Sequence, residues 1–231
     1  MPHHHHATHD QPEHDHGEDV HEEFRFTQEF WDDRYGSAGQ LWSGKPNAQL
    51  VEQASGLEPD EALDAGCGEG GDAVWLAGQG WAVTAVDVSA VAIERGARAA
   101  EAVGADVAGR IRWLREDLLT WVPEPGRYGL VSAQYMHLPP EMSGGFLARM
   151  AAAVRPGGTL LVVGHHPDDL HANVGRTGAP DRFVLAEQLA AGLDPAAWEV
   201  VVARAFDREA RDLDGQSVNV RDTVLRAVRR A

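Results

Sequence analysis

The stretch ALDAGCGEGGDAVWLAGQGWAVTAVDVS, residues 62–89, follows a short apolar run with glycines at 66, 68, 70 and 71, and closes the next apolar run with Asp87. Glycines at 66, 68 and 70 let the main chain turn sharply and approach a ligand without Cβ clashes. A carboxylate ending the following strand can accept both hydroxyls of a ribose. The chemistry is that of holding a nucleotide-bearing cofactor. The loop alone does not say which one, because Gly66, Gly68 and Gly71 also satisfy G-x-G-x-x-G, and Asp87 lies about 20 residues on, where dinucleotide-binding folds keep their ribose acid. Two further acids bear on the choice. Asp64, two residues before Gly66, puts negative charge where a pyrophosphate gains nothing and a cationic amino-acid group gains attraction. Asp117, in REDLL, is placed to accept from an adenine amino group while the N–H of Leu118 donates to a ring nitrogen. Pairing of either acid with Arg112 or Arg115 is the bland alternative.

Three histidines are the candidates for handling a second substrate. His137 follows the fourth strand, in QYMHLPP, and is the first candidate for orienting or deprotonating an acceptor; a histidine of ordinary core packing competes with that reading. His165 and His166 follow the fifth strand and open HHPDDLHANVGRTGAPDR, longer than an ordinary connection and so a segment expected to line a site, with simple surface histidines as the alternative. Cys67 is not read as a nucleophile, since a small residue is needed in the loop and the motif sets no base beside it. Residues 1–23 carry eight histidines and many acids with almost no apolar side chains. This tail is expected to be disordered. His3 to His6, or His14 with His16, could bind a divalent metal, but an affinity tag or a solvating arm explains them as well, and no metal site is assigned.

The elements that must position these groups follow from patterning. TQEFWDDRYG reads as a short helix capped by Thr27, and SGKPNAQLVEQASG as a second, starting at Pro46 and ending at Gly56. From residue 61 β-rich runs alternate with helical ones: EALDAG, a helix from about 72 to 79, WAVTAVDV, a helix from 89 to about 103, IRWLRED, YGLVSAQY, a helix in PEMSGGFLARMAAAV, the turn RPGG and TLLVVG. This is the pattern of a doubly wound parallel sheet covered on both faces. WEVVVARAF and SVNVRDTVLRAV, joined by DREARDLDGQ, read as an antiparallel pair at the sheet edge, the connection being too short for a crossover helix.

The chain has 231 residues, 43% of them hydrophobic, which suits one domain, residues 24–231, behind the tail. Its formal net charge is −16; without the seven acids of residues 1–23 the remainder still has 29 acids against 20 bases, a net of −9. A negative body repels nucleic acid and anionic lipid, so a small, neutral or cationic partner is expected. The single cysteine excludes an internal disulfide and fits a reducing compartment. No run approaches the roughly 20 apolar residues of a membrane span, and the start lacks a signal-peptide core. The expected location is the cytoplasm. Oligomeric state is not legible.

Taken together, LDAGCGEGGDAVWLAGQGWAVTAVDVS, EDLL, QYMHL and VRPGGTLLVVG resemble the class I S-adenosylmethionine-dependent methyltransferases over residues 24–231. The resemblance implies a Rossmann-like seven-stranded sheet, mostly parallel with an antiparallel C-terminal strand. It implies S-adenosylmethionine as cofactor, with Gly66, Gly68 and Gly70 against the amino-acid part, Asp87 and Val88 at the ribose, Asp117 with Leu118 at adenine, Asp64 near the glycine loop, and Gln134 at the end of the fourth strand. FWDDRY followed by LWSGKPN is similar to the N-terminal cover of small-molecule methyltransferases of the tellurite-resistance and thiopurine type. By that likeness Arg34 pairs with the methionine carboxylate and Trp42 walls the methyl pocket. One position departs: RYGLV has Gly129 where the family commonly has an acid. The implied reaction is methyl transfer to a small molecule, a thiol or a chalcogen oxyanion. The alternatives are O- or N-methylation of another metabolite, a nicotinamide-dependent oxidoreductase, and a non-catalytic cofactor-binding protein.

Overall fold

In the computed structural model, residues 27–37, 39–172, 174 and 180–231 are described. The histidine-rich tail and part of the stretch after the fifth strand lie outside them. Two helices come first, α1 (Gln28–Gly36) and α2 (Ala48–Ala54). Thr27 caps α1 as its sequence predicts, its hydroxyl accepting from the Phe30 N–H at 3.2 Å. Then strands β1 (Glu61–Ala65), β2 (Ala82–Asp87), β3 (Ile111–Arg115), β4 (Tyr128–Gln134) and β5 (Val154–His165) alternate with helices α3 (Gly71–Gly78), α4 (Ala90–Val103), the short α5 (Ala105–Ala108) and α6 (Pro140–Ala153). Helix α7 (Ala186–Ala191) precedes β6 (Trp198–Arg211) and β7 (Ser217–Arg229).

The seven strands form one sheet in the order β3-β2-β1-β4-β5-β7-β6. All neighbours pair in parallel except β7, which runs antiparallel to both β5 and β6. The parallel strands read as apolar runs because both faces are covered. Leu63 and Ala65 of β1 meet Phe146, Met150 and Leu193 on one side, while Ala62 joins Leu50, Leu76 and Trp81 on the other. β1 lies between β2 and β4, so the chain leaves it in one direction through β2 and β3 and returns on the other side through β4 and β5. The crevice beyond the carboxyl ends of β1 and β4 is the switch point where doubly wound sheets bind ligands.

Two local features differ from their sequence expectations, and a third explains the departure at Gly129. β5 begins at Val154, so RPGG lies within the strand, where a register shift between Tyr128 and Leu130 absorbs the irregularity. β6 runs on through DREAR to Arg211, leaving only Asp212–Gln216 as the turn. That arm has no apolar alternation to reveal it; main-chain pairing to 217–221 and the fork of Arg208 on Asp222 (2.8 and 3.2 Å) hold it. Gly129 has no room for the family's acid, since a Cβ there would sit 2.8 Å from the Asp60 carboxylate, which pairs with Arg155 at 2.8 Å.

The packing of β7 between β5 and β6 makes Leu225, fully buried, a keystone of one core cluster. Leu225→Ala is expected to cost about 2–5 kcal/mol in urea unfolding. Val201→Ala on the exposed part of β6 is expected to stay within about 0.5 kcal/mol. Equal losses at the two sites would contradict the burial assigned to β7.

Candidate functional site

The loop leaving β1 is fastened to β2 before any ligand is considered. The N–H groups of Gly66 and Cys67 both donate to the Val86 carbonyl, at 2.9 and 3.0 Å. The Gly68 N–H donates to Asp87 Oδ2 at 2.9 Å, and the Ser89 N–H donates to Oδ1 at 2.9 Å. Gly66, Gly68 and Gly70 all have left-handed φ values, 79°, 51° and 83°, which is why the positions are glycine. They do not share one face. Gly66 lies under the Met136 sulfur and Gly68 under the Tyr35 hydroxyl and the Trp42 indole, whereas Gly70 is packed against Trp113 and the Gly96 backbone. Gly70 therefore fits the loop to α4 and β3, while Gly66 and Gly68 face the side chains of the N-terminal cover and of the turn after β4. Ser89 caps α4 through the Ala92 N–H at 3.2 Å, so Asp87 is not required as that cap.

Three acids sit beneath and beside this loop. Asp64 is 1% exposed, and its Oδ2 has no hydrogen-bond partner among the described residues. Burial pushes its carboxyl well above the ordinary value, and the charges of Asp72 and Asp87 add to the shift. Asp72 and Asp87 are also raised by burial, in spite of N–H donors from Asn47 to the first and from Ser89, Gly68 and Val88 to the second. The loop is thus a concentration of negative or proton-bearing carboxyls, hostile to a pyrophosphate and receptive to a cation.

Next to the loop, a cleft of about 570 Å³ is lined by Val88, Arg115, Asp117, Leu119 and Met142, with Thr27 from the N-terminal cover. Asp117 is exposed there, its carboxylate accepting from the Leu119 N–H at 2.9 Å, while the Leu118 side chain is buried in the core and its carbonyl takes Arg149 at 2.9 Å. Gln134, buried at the end of β4, donates to the Ser132 hydroxyl at 2.9 Å and keeps an amide oxygen without a partner among the described residues.

Past β4 the chain enters a strained turn, with Tyr135 and His137 at φ 54° and 42°, values that non-glycine residues adopt rarely and mostly at functional sites. The turn sets up a ring stack: His165 on Tyr135 at 4.4 Å, His137 on His165 at 4.7 Å, and Phe183 on His137 at 5.2 Å. The His165 N–H donates to His137 Nε2 at 3.0 Å, which fixes that nitrogen as an acceptor and the ring as the tautomer protonated at Nδ1. His137 and His165 are brought together. His166 is not with them; it is buried and its Nδ1 accepts from the Asp168 N–H at 3.2 Å, capping the 3-10 turn Pro167–His171. Arg34 is exposed with its guanidinium over Trp31, 5.9 Å from the ring centroid, rather than on the loop. Trp42 does reach the loop, half exposed, its indole N–H donating to the Tyr35 hydroxyl at 3.0 Å. Sequence reasoning missed Glu69, Asp72, Met136 and Phe183. For Glu69 a signal was present, a charged residue where the turn needs none; for Phe183, beyond a long connection, there was none.

Residues 62–158 match the family described as Methyltransferase domain. A curated relative, "Probable thiol methyltransferase 2" of Arabidopsis thaliana, is 28% identical over 177 residues, 74% of this chain and 74% of its own. Over these residues the chain is similar to methyltransferases. Among solved structures, one titled "Conversion of a Disulfide Bond into a Thioacetal Group during Echinomycin Biosynthesis" shares the fold at a TM-score of 0.69 and 22% identity, over 88% of this chain and 92% of that one. The N-methyltransferase NodS of Bradyrhizobium japonicum in complex with S-adenosyl-L-homocysteine aligns at 0.64 and 17% identity, over 87% and 97%. The ligand of NodS is the demethylated form of S-adenosylmethionine, the cofactor that the sequence motifs imply.

The residues present fit that cofactor. The left-handed Gly66 and Gly68 keep one side of the loop free of Cβ atoms, and the orphaned Oδ2 of Asp64 lies beneath it, a buried acceptor suited to a cationic ligand's field. No helix among the described residues is long and apolar enough to cross a membrane. The raised Asp64 carboxyl makes the protein's stability depend on pH. Above the ordinary carboxyl value of 3.8 the folded protein keeps a proton that the unfolded chain has released, so this group's contribution to stability falls as pH rises until the folded value is passed. Asp64→Asn should therefore gain stability relative to the native protein as pH is raised from about 5 to 8. Thermal unfolding across that range checks this; a constant difference between the two proteins would contradict it.

Proposed function

We propose that the acceptor is a small-molecule thiol, taken in as its thiolate. The observation that carries the reading is the hydrogen bond from the His165 N–H to His137 Nε2. A histidine acting as general base there would lose this bond on accepting a proton at Nε2, so the turn is built to orient an acceptor rather than to deprotonate it. A thiolate needs no proton removed in the transition state, whereas a phenol, hydroxyl or ammonium does. The curated relative's name, a probable thiol methyltransferase, points the same way. A chalcogen oxyanion shares the same feature of arriving already ionised.

When bound, the cofactor supplies a methyl group on a sulfonium, open to in-line attack. Gly66 and Gly68 would hold its amino-acid part, Asp87 its ribose hydroxyls, and Asp117 with Leu118 its adenine. Trp42 would present an aromatic face to the sulfonium, a contact worth about 0.5–2 kcal/mol. The cover would exclude water, and the stacked rings of Tyr135, His165, His137 and Phe183 would wall the side from which the acceptor approaches. Alignment of this kind contributes up to roughly 7–11 kcal/mol in favourable cases. The net charge of −16 and the lone, buried Cys67 support a small, non-polyanionic acceptor and a reducing, cytoplasmic setting.

Two measurements test the reading. An S-adenosylhomocysteine release screen should favour thiols over phenols and amines, and kcat/KM should rise with pH through an inflection that moves with the thiol's own pKa. An inflection fixed at about 6.5 whatever the thiol would instead assign a histidine base. Asp87→Ala should weaken S-adenosylhomocysteine binding by about ten- to a hundredfold in calorimetry, the loss of hydrogen bonds to a charged group. Unchanged affinity would remove Asp87 from the ribose site.

A further inference from the structure

Residues 40–47 cross the glycine loop without a helix or strand to hold them. What holds them is the loop's own acids. The Glu69 carboxylate, 7% exposed, accepts from the Leu41 N–H at 3.0 and 3.2 Å, from the Trp42 N–H at 2.8 Å, and from the Arg95 guanidinium of α4 at 2.9 Å. Asp72, in the first turn of α3, takes the Asn47 N–H at 2.7 Å and its side-chain amide at 2.8 Å. Between these anchors Trp42 lies on Gly68, and the Lys45 carbonyl closes on Gly71 so tightly that a Cβ there would sit 2.8 Å away.

The turn of the loop is made by its glycines and does not need a glutamate between Gly68 and Gly70. Burying a carboxylate is costly unless its oxygens are satisfied, and Glu69 is satisfied by two main-chain N–H groups of the cover and one cation. Its two main-chain partners are lost when the cover lifts, leaving only the Arg95 ion pair among the contacts described.

We propose that Glu69 is a positioning residue that latches the N-terminal cover: by fixing the main chain at Leu41 and Trp42 it holds the indole over Gly68, and so governs how fast S-adenosylmethionine enters and S-adenosylhomocysteine leaves. The inference rests on the reading of Gly66 and Gly68 as the seat of the cofactor's amino-acid part. Trp42 and Tyr35 lie directly on Gly68, so a ligand reaches or leaves that glycine only as 40–47 lifts, which breaks the Glu69 bonds. Removing the latch lowers the barrier in both directions, so entry and release both accelerate and the equilibrium affinity moves less than either rate. A residue that served only stability would leave these rates alone.

The test is stopped-flow binding and release of S-adenosylhomocysteine, with hydrogen exchange of the Leu41 and Trp42 amides, in the full chain carrying Glu69→Ala or Glu69→Gln. The alanine variant should lose protection at both amides and release the product roughly ten- to a hundredfold faster. The glutamine variant keeps the side chain's volume and one acceptor; it should fall between, and it guards against collapse of the loop in the alanine variant. Faster amide exchange with unchanged release, or unchanged protection in both variants, would overturn the latch while leaving the cofactor site intact. Failure of the native protein to bind S-adenosylhomocysteine would instead overturn the reading of the loop, and the latch with it.

Discussion

The hydrogen bond from the Gly68 N–H to the Asp87 carboxylate, 2.9 Å long and out of water, joins the loop leaving β1 to the end of β2. Much else at the crevice depends on it. It sets Gly68 in its left-handed conformation opposite Trp42, and it spends one oxygen of Asp87 on the protein while the other takes the Ser89 N–H. A carboxylate buried at this depth persists because main-chain donors satisfy it. The ends of β1, β2 and α4 are thereby fixed relative to one another before a ligand arrives, the preorganisation that positional catalysis requires.

The same economy extends outward. The loop's neighbouring acids are used as hooks: Asp32 of α1 accepts from the Ser89 hydroxyl at 2.6 Å, while Glu69 and Asp72 hold the cover at residues 41–47. Burial works to raise Asp32, but the hydrogen bonds from Ser89 and Gln28 and the N–H groups at the start of α4 prevail and hold it below the ordinary carboxyl value. Asp64 is the contrasting case, an acid at the same site whose Oδ2 has no partner among the described residues and which is raised instead. An acidic site that binds its own backbone on three sides and leaves one carboxyl oxygen without a partner among the described residues is complementary to a cation. That separates it from the pyrophosphate seat that the same glycine spacing can build.

Much of this was legible in the sequence. The parallel strands are covered on both faces and so appear as apolar runs, and an aspartate that interrupts such a run, as Asp64 does, or closes it, as Asp87 does, stands out for that reason. Thr27 and Ser89 announced their helices by capping chemistry, and the antiparallel β6–β7 pair followed from a connection too short for a crossover. What was not legible depends on contacts between distant segments. The reach of Glu69 across 28 positions to Leu41, the seating of Gly70 on Trp113, and the stacking of Phe183 on His137 have no local pattern. Residue type alone grouped His166 with His165, but β5 ends at His165, and His166 caps the turn that follows. Arg34 was placed by family likeness on the cofactor; its guanidinium lies over Trp31, three residues earlier on the same helix.

The claim at the centre is that the crevice above Gly66 and Gly68 is a cation-receptive seat whose sugar anchor is Asp87. A crystal structure of the protein with S-adenosylhomocysteine tests it most directly. The account predicts the ribose hydroxyls within about 3 Å of the Asp87 carboxylate, adenine in the cleft beside Asp117, and the amino-acid end under Trp42. A ribose turned away from Asp87, or preferential occupation of the loop by a pyrophosphate compound offered in competition, would contradict it.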